Sequence, residues 1–293
     1  MGGDKVSIII PVHNSKKFLC QSIESAINQT YENVQVLAIE NGSKDDSHQI
    51  LKEYHNDIDI VSVKNKGLGF ALKAAIEKAN GNWFKILSAD DVLKPNAVSV
   101  LVEEAKKLPE DTIIYSNWEL IDEHGNVLRK FSESNFNELS VFDFNIRLLD
   151  GQKINVNTTL IPTSLFRKGC VFEQLENPVP IDYDFFLRAG IFYDVKFHLI
   201  EDILLEYRIH SDQLSHKDIS KSLNFVSALK KNILSQIEPK KRTKFYESLE
   251  KYQNEKPLSK KTMEAGLKIV KSLPPWASDM MIVFYLNKIR RTR

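Results

Sequence analysis

Four short apolar runs, at residues 6–10, 34–39, 58–63 and 83–87, punctuate the first 90 residues, and each gives way to a polar turn. Helical spacing follows three of those turns, with Phe18, Leu19, Ile23 and Ile27 on one face in 14–28, a short segment at 47–54, and an alanine-rich stretch that ends near Asn80-Gly81. Strands that alternate with helices through short loops connect by right-handed crossovers and form a mostly parallel sheet. Such a strand is buried on both faces, which is why Val-Ser-Ile-Ile-Ile at 6–10 carries almost no polar residue.

A parallel sheet places the carboxyl ends of its strands along one edge, where ligands bind in open α/β folds. Four polar groups fall there: Pro11 to Asn14, Glu40-Asn41, Asn65 to Gly67, and Asp90-Asp91. Each alone is an ordinary loop; together they make a pocket edge. Adjacent carboxylates at 90 and 91 repel unless a cation or donor holds them, and magnesium or manganese carrying a diphosphate would do so. The plainer alternative is an Asp-Asp turn with Asp91 as a helix N-cap.

Beyond Asp91 the pattern predicts a helix at 96–108 and a strand at 112–115, then a less regular stretch at 116–160 containing the turn Glu123-His124-Gly125-Asn126. Residues 181–188 read as helical, 195–200 and 204–207 as two strands, and the lysine-rich sequence after 217 as helical, broken by Pro274-Pro275. The expected organisation is a catalytic domain at 1–216, split into halves at 1–115 and 116–216, followed by a helical extension at 217–293.

Composition excludes several classes. Among 293 residues, 40 basic against 39 acidic side chains leave no field for nucleic acid, and two cysteines far apart suggest neither disulfides nor zinc. A reducing cytoplasm fits that cysteine usage; the first apolar run is too short for a signal peptide, and no segment reaches membrane-spanning length. The first strand-to-helix turn, Pro11-Val12-His13-Asn14, lacks the glycines of a dinucleotide fold, and neither a Gly-Lys-Ser/Thr loop nor a Gly-x-Ser-x-Gly elbow occurs.

The ordered set Val-Ser-Ile-Ile-Ile-Pro-Val-His-Asn, Glu-Asn-Gly-Ser-Lys-Asp, Asn-Lys-Gly-Leu-Gly and Ser-Ala-Asp-Asp-Val-Leu-Lys-Pro resembles the inverting glycosyltransferases of family 2, with the A-type nucleotide-sugar fold, over about residues 5–215. The resemblance implies an α/β domain with a mostly parallel central sheet flanked by helices. It also implies a metal-dependent transfer of sugar from a nucleotide-sugar to an acceptor hydroxyl, in polysaccharide, lipopolysaccharide or glycoprotein glycan synthesis. By this correspondence Asp91 is the metal ligand, for manganese or magnesium, and Asp90 belongs to the same motif. Pro11, His13, Asn14, Glu40, Asn41, Lys66, Gly67 and Lys73 line the nucleotide-sugar. Asp182, in Ile-Asp-Tyr-Asp-Phe-Phe-Leu-Arg, is the implied general base, and His210, in Tyr-Arg-Ile-His, meets metal or phosphate.

The sequence departs from the family pattern at Asn41, Ser88 and Ile181, where acids are usual, and at Leu72 and Lys73, where Arg and Asn are usual. Asn41 both accepts and donates, which leaves the base open although a UDP-sugar is the favoured donor. A glycan or lipid-linked glycan is the expected acceptor. The apolar stretch ending in the basic residues of 276–293 reads either as a surface helix at the inner membrane face, or as a helix packed on the protein or a dimer contact. Alternative functions are a sugar-nucleotide binder without activity and a nucleotidyltransferase; the latter's basic, Gly-rich loop is absent from 11–17.

Overall fold

A computed structural model describes residues 4–64, 67–173, 180–210, 213 and 219–256. Asn65, Lys66, Pro274-Pro275 and the stretch 276–293 lie outside the described residues.

β1 (Val6–Val12), β2 (Val34–Glu40), β3 (Asp59–Ser62) and β4 (Trp83–Ile86) form the expected parallel array. With β8 (Ile161–Pro162), antiparallel to β4, the sheet order is β3-β2-β1-β4-β8. Val6, Ile8, Ile9, Ile10 and Val12 are fully buried, as a strand covered on both faces requires. Ser7 is buried among them and is satisfied by donating to Gln35 Oε1 at 2.6 Å and accepting from Gly81 N at 2.9 Å. Gly81 has no room for a side chain: a Cβ there would lie 2.7 Å from Lys5 O and Ser7 N.

Helices α1 (Leu19–Ile27), α2 (Ser47–Glu53) and α3 (Leu68–Lys78) connect these strands. The first begins later than its periodicity predicts. Asn14 adopts φ 52° and its side-chain oxygen accepts from Lys44 N at 2.7 Å, so it is bound to the turn after β2 and does not cap the helix. The chain crosses through a turn at 15–18 instead.

A second sheet contains β5 (Val92–Leu93), β6 (Ile113–Ile121), β7 (Val127–Phe131) and β9 (Phe197–Arg208), in the order β5-β9-β6-β7. The strand expected at 112–115 therefore belongs to this sheet and runs six residues further. The two strands expected at 195–200 and 204–207 are one. Ile200 pairs with Ser116 and Ile203 with Asn117, so 201–202 are extruded without breaking the strand, and Asn117 Nδ2 satisfies the Glu201 carbonyl at 2.8 Å. Helix α4 (Ala97–Ala105) follows β5, and α5 (Val141–Asp150), α6 (Ser164–Arg167) and α7 (Ile181–Phe192) occupy the less regular half.

The chain divides into two compact units. Both sheets lie in the first, which comprises 1–145, 152–177 and 181–210. The second takes 146–151, 178–180 and 211–293, with α8 (Ile219–Ser235) and α9 (Pro239–Glu255) as its helices. Within the second, Phe245 is buried, the Arg147 guanidinium lies 3.7 Å from the Tyr252 ring centre, and Lys256 pairs with Asp150.

Candidate functional site at the strand ends

β4 runs out into a tight turn at 88–91, closed by Asp91 N donating to Ser88 O at 3.1 Å. The two carboxylates of this turn have different surroundings. Asp91 is fully buried; its Oδ1 accepts from Arg208 N at 2.9 Å and its Oδ2 from Asn157 Nδ2 at 2.7 Å. Burial and the neighbouring Asp90 push its pKa up, while those two donors and the Arg208 charge pull it down. Both oxygens of Asp91, the metal ligand that the resemblance implies, accept from protein donors. Asp91 is not a helix cap, since β5 follows it directly.

Asp90 is the accessible member. Its side chain is 25% exposed, and its Oδ2 lies 3.0 Å from His210 Nε2. His210 packs against the Phe18 ring, with centroids 5.1 Å apart, and the Arg208 guanidinium lies 4.6 Å from the same ring. Arg208 also donates from Nε to Asp90 O at 2.9 Å, from Nη1 to Asp122 O at 3.1 Å and from Nη2 to Gln21 Oε1 at 2.6 Å. One buried arginine thus ties the end of β9 to the carboxylate turn, the β6–β7 turn and α1.

A carboxylate oxygen and an imidazole nitrogen facing each other are a donor set that a divalent cation such as manganese accepts. Among the described residues no group of three His, Cys, Asp or Glu converges. A cation here would complete its shell with water and phosphate oxygens, the habit of metals that bind through one or two side chains plus substrate phosphates.

The remaining strand-end residues gather beside β1 and β2. Pro11 lies within β1 opposite Ile39, and His13 Nδ1 is 3.0 Å from Asn41 O. Asn14 N donates to Ser43 Oγ at 3.1 Å. Glu40 is buried and accepts from Ser43 N at 2.6 Å. Asn41 is 5% exposed; its Nδ2 reaches Gly67 O at 3.4 Å, and its Oδ1 has no hydrogen-bond partner among the described residues. Gly67 precedes α3 with φ 104°, a conformation that favours glycine. Lys66 lies outside the described residues, and Leu72 is core. Lys73 is exposed on α3, and among the described residues no hydrogen bond or ion pair joins it to this group.

Asp182 opens α7, half-buried, and its Oδ2 accepts from Gln152 Nε2 at 2.5 Å. Burial raises its pKa above the ordinary carboxylate value, against the opposing Gln152 hydrogen bond. Ile181, where the family carries an acid, is core. Asp184 faces Arg188 at 3.3 Å on the buried side, and burial raises its carboxyl to about 6. Residues 145 and 190 hold α7 in place: Asn145 Nδ2 donates to Gly190 O at 2.9 Å, and a Cβ on Gly190 would fall 2.0 Å from Asn145 Oδ1.

Sequence reasoning missed Asn157, Arg208, Gln152 and Lys85. The first and third lie in an irregular stretch with no periodicity to place them. Lys85 did leave a signal, a single charge inside the apolar run of β4, and it is 1% exposed with Nζ donating to Asn157 O.

An open α/β sheet with polar groups along the carboxyl ends of its strands is a fold that binds ligands at that edge. The family described as Glycosyl transferase family 2 matches residues 7–166, more than half of the 293, and the chain belongs to it. An uncharacterized glycosyltransferase of Rickettsia conorii is 34% identical over 215 residues, covering 72% of this chain and 35% of that protein. The chain therefore spans little more than a third of that relative's length. Among solved structures, TarS of S. aureus in complex with UDP-GlcNAc aligns with a TM-score of 0.61 at 15% identity, over 82% of this chain and 70% of the other. Mannosyltransferase PcManGT from Pyrobaculum calidifontis in complex with GDP-Man and Mn2+ aligns with a TM-score of 0.58 at 13% identity, over 100% and 87%. At these identities the two structures share the fold.

Proposed function

We propose that this chain is a metal-dependent inverting glycosyltransferase that moves a sugar from a nucleotide-sugar to an acceptor hydroxyl in glycan assembly. The observation that carries the reading is the Asp90 Oδ2 to His210 Nε2 approach of 3.0 Å at the end of β4. Asp90 and His210 would hold manganese or magnesium there, in place of the Asp91 expected from the motif. The bound ion supplies positive charge to the diphosphate leaving group.

The chain's own residues do the rest. Asn41 Oδ1, in a buried residue and with no hydrogen-bond partner among the described residues, is an acceptor for an N–H on the nucleobase edge. Uracil offers such a group, and TarS binds UDP-GlcNAc, which supports a UDP-sugar as donor. Glu40 is held by the turn it bonds at Ser43 and shapes the base-binding loop with His13, Asn14 and Pro11. Asp182 takes the proton from the acceptor hydroxyl as that oxygen attacks the anomeric carbon; its raised pKa makes it a better base than an ordinary aspartate. Direct displacement inverts the anomeric centre.

The test is incubation of the full chain with manganese, a UDP-sugar and a panel of glycan acceptors, with product read by proton NMR. Transfer with inversion is expected. Release of free sugar and UDP without transfer would point to a wrong acceptor class; no turnover with tight binding would leave a sugar-nucleotide binder, and retention of configuration would overturn the mechanism.

A further inference from the structure

Ser88 stands where the family resemblance leads one to expect an acid, and its hydroxyl and backbone N–H are engaged by Asn157. The side-chain amide of Asn157 is spent entirely on the two ends of the 88–91 turn. Its Oδ1 lies 3.2 Å from both Ser88 N and Ser88 Oγ, and its Nδ2 donates to Ser88 Oγ at 2.8 Å and Asp91 Oδ2 at 2.7 Å. Flipping the amide would set its carbonyl against the Asp91 carboxylate, so the orientation is chemically determined. Asp90 lies between the two clamped residues, with its carbonyl held by Arg208 Nε at 2.9 Å. The part of Asp90 left without a fixed protein donor from this clamp is its carboxylate, which is directed at His210.

Asn157 is itself fixed. It lies in the 3-10 turn Val156–Thr158, where Asn155 Oδ1 accepts its backbone N–H at 3.0 Å, and it is 4% exposed. Lys85, in the middle of β4, donates to its carbonyl from beneath. A buried amine in a sheet interior needs a hydrogen-bond partner, and burial lowers the Lys85 pKa to about 7. Here it joins the strand that delivers Asp90 to the turn that aims it.

We propose that Asn157, anchored by Lys85, is a positioning residue that sets the direction of the Asp90 carboxylate and so the strength of metal-linked diphosphate binding. This rests on the nucleotide-sugar reading of the strand-end site. An amide does here, by hydrogen bonds to the turn, what direct coordination by an acid at 88 cannot do in this chain. Asn157 acts through Asp90 and need not touch the donor.

Titration calorimetry of UDP binding to the full chain, with and without manganese, tests this in wild type, Asn157→Ala, Asn157→Asp and Lys85→Met. Wild type should bind UDP more tightly with manganese. Both Asn157 variants should lose at least about tenfold of that metal-dependent gain while metal-free UDP affinity stays within about twofold, and Lys85→Met should lose part of the gain. Asn157→Asp keeps the shape and removes the donor to Asp91, so it and Lys85→Met decide the matter should Asn157→Ala fail to fold. Wild-type metal-dependent affinity in both Asn157 variants overturns the positioning role, as does an equal loss with and without manganese. A wild type that binds no UDP, or binds it without regard to manganese, overturns the reading of the site and the inference with it.

Discussion

Asn157 Nδ2 donates to Asp91 Oδ2 at 2.7 Å across 66 positions of sequence, between two side chains that are both buried. The contact separates the adjacent aspartates into different jobs. Asp91 holds the turn together from inside, and Asp90 faces His210 at the accessible end of the strand.

That division predicts opposite outcomes for isosteric changes. Asp91→Asn puts an N–H group against the donor from Arg208 or the donor from Asn157, and should lower unfolding stability by about 1–3 kcal/mol. Asp90→Asn should stay within about 0.5 kcal/mol of wild type, because its side chain is partly exposed. Urea denaturation of both variants checks this; a stable Asp91→Asn beside a destabilised Asp90→Asn would reverse the two roles.

Proton removal by Asp182 predicts a pH profile. A base must be ionised to act, so kcat/KM should rise with pH through the pKa of Asp182, and burial places that limb above the ordinary aspartate range. Asp182→Asn should cut transfer by about 10²–10⁴-fold and leave UDP binding unchanged. A variant that keeps substantial transfer would remove Asp182 from the chemistry.

Asp184 predicts a stability effect of definite sign. Its carboxyl is raised from 3.8 to about 6, chiefly by burial, so the folded protein binds more protons than the unfolded chain between those values. The contribution is present below pH 3.8 and is lost as pH rises through about 6. Relative to Asp184→Asn, wild type should therefore lose stability across that window, by at most about 3 kcal/mol. Chemical denaturation of the pair at several pH values measures it. A wild-type advantage that grows with pH would mean that Arg188, at 3.3 Å, outweighs burial.

Gly190 predicts a steric failure. An alanine Cβ would lie 2.0 Å from Asn145 Oδ1, and the neighbour it displaces carries the hydrogen bond to Gly190 O. Gly190→Ala should cost about 1–3 kcal/mol, with part regained when Asn145→Ser is added. Thermal melting of the single and double variants tests the coupling; additive losses would show that the two positions do not share the space.

The parallel half of the fold was legible because strands buried on both faces write themselves as short apolar runs, as at 6–10 and 83–87. Strand-end residues followed from topology alone, which is how Glu40, Asn41 and Asp90 could be grouped before any contact was known. What escaped was carried by long-range bonds. Asn14 is of a residue type that caps helices and stands shortly before α1, yet its side chain accepts from the Lys44 N–H, 30 positions away. The different surroundings of Asp90 and Asp91 could not be read from adjacency, since burial and the donors from Arg208 and Asn157 arise only in three dimensions. Extrusion of 201–202 made one strand look like two, because it interrupts the apolar pattern without interrupting the pairing.

The most direct measurement is a thermal-shift series of the full chain with UDP-, GDP- and dTDP-sugars, each with and without manganese, in wild type and Asp90→Ala. The predicted result is stabilisation by a UDP-sugar that depends on manganese and disappears in Asp90→Ala while the variant's own melting temperature is unchanged. Absence of stabilisation by every sugar nucleotide under every metal condition would contradict the proposed donor site, and stabilisation that survives in Asp90→Ala would contradict the pairing of Asp90 with His210 as its metal-binding end.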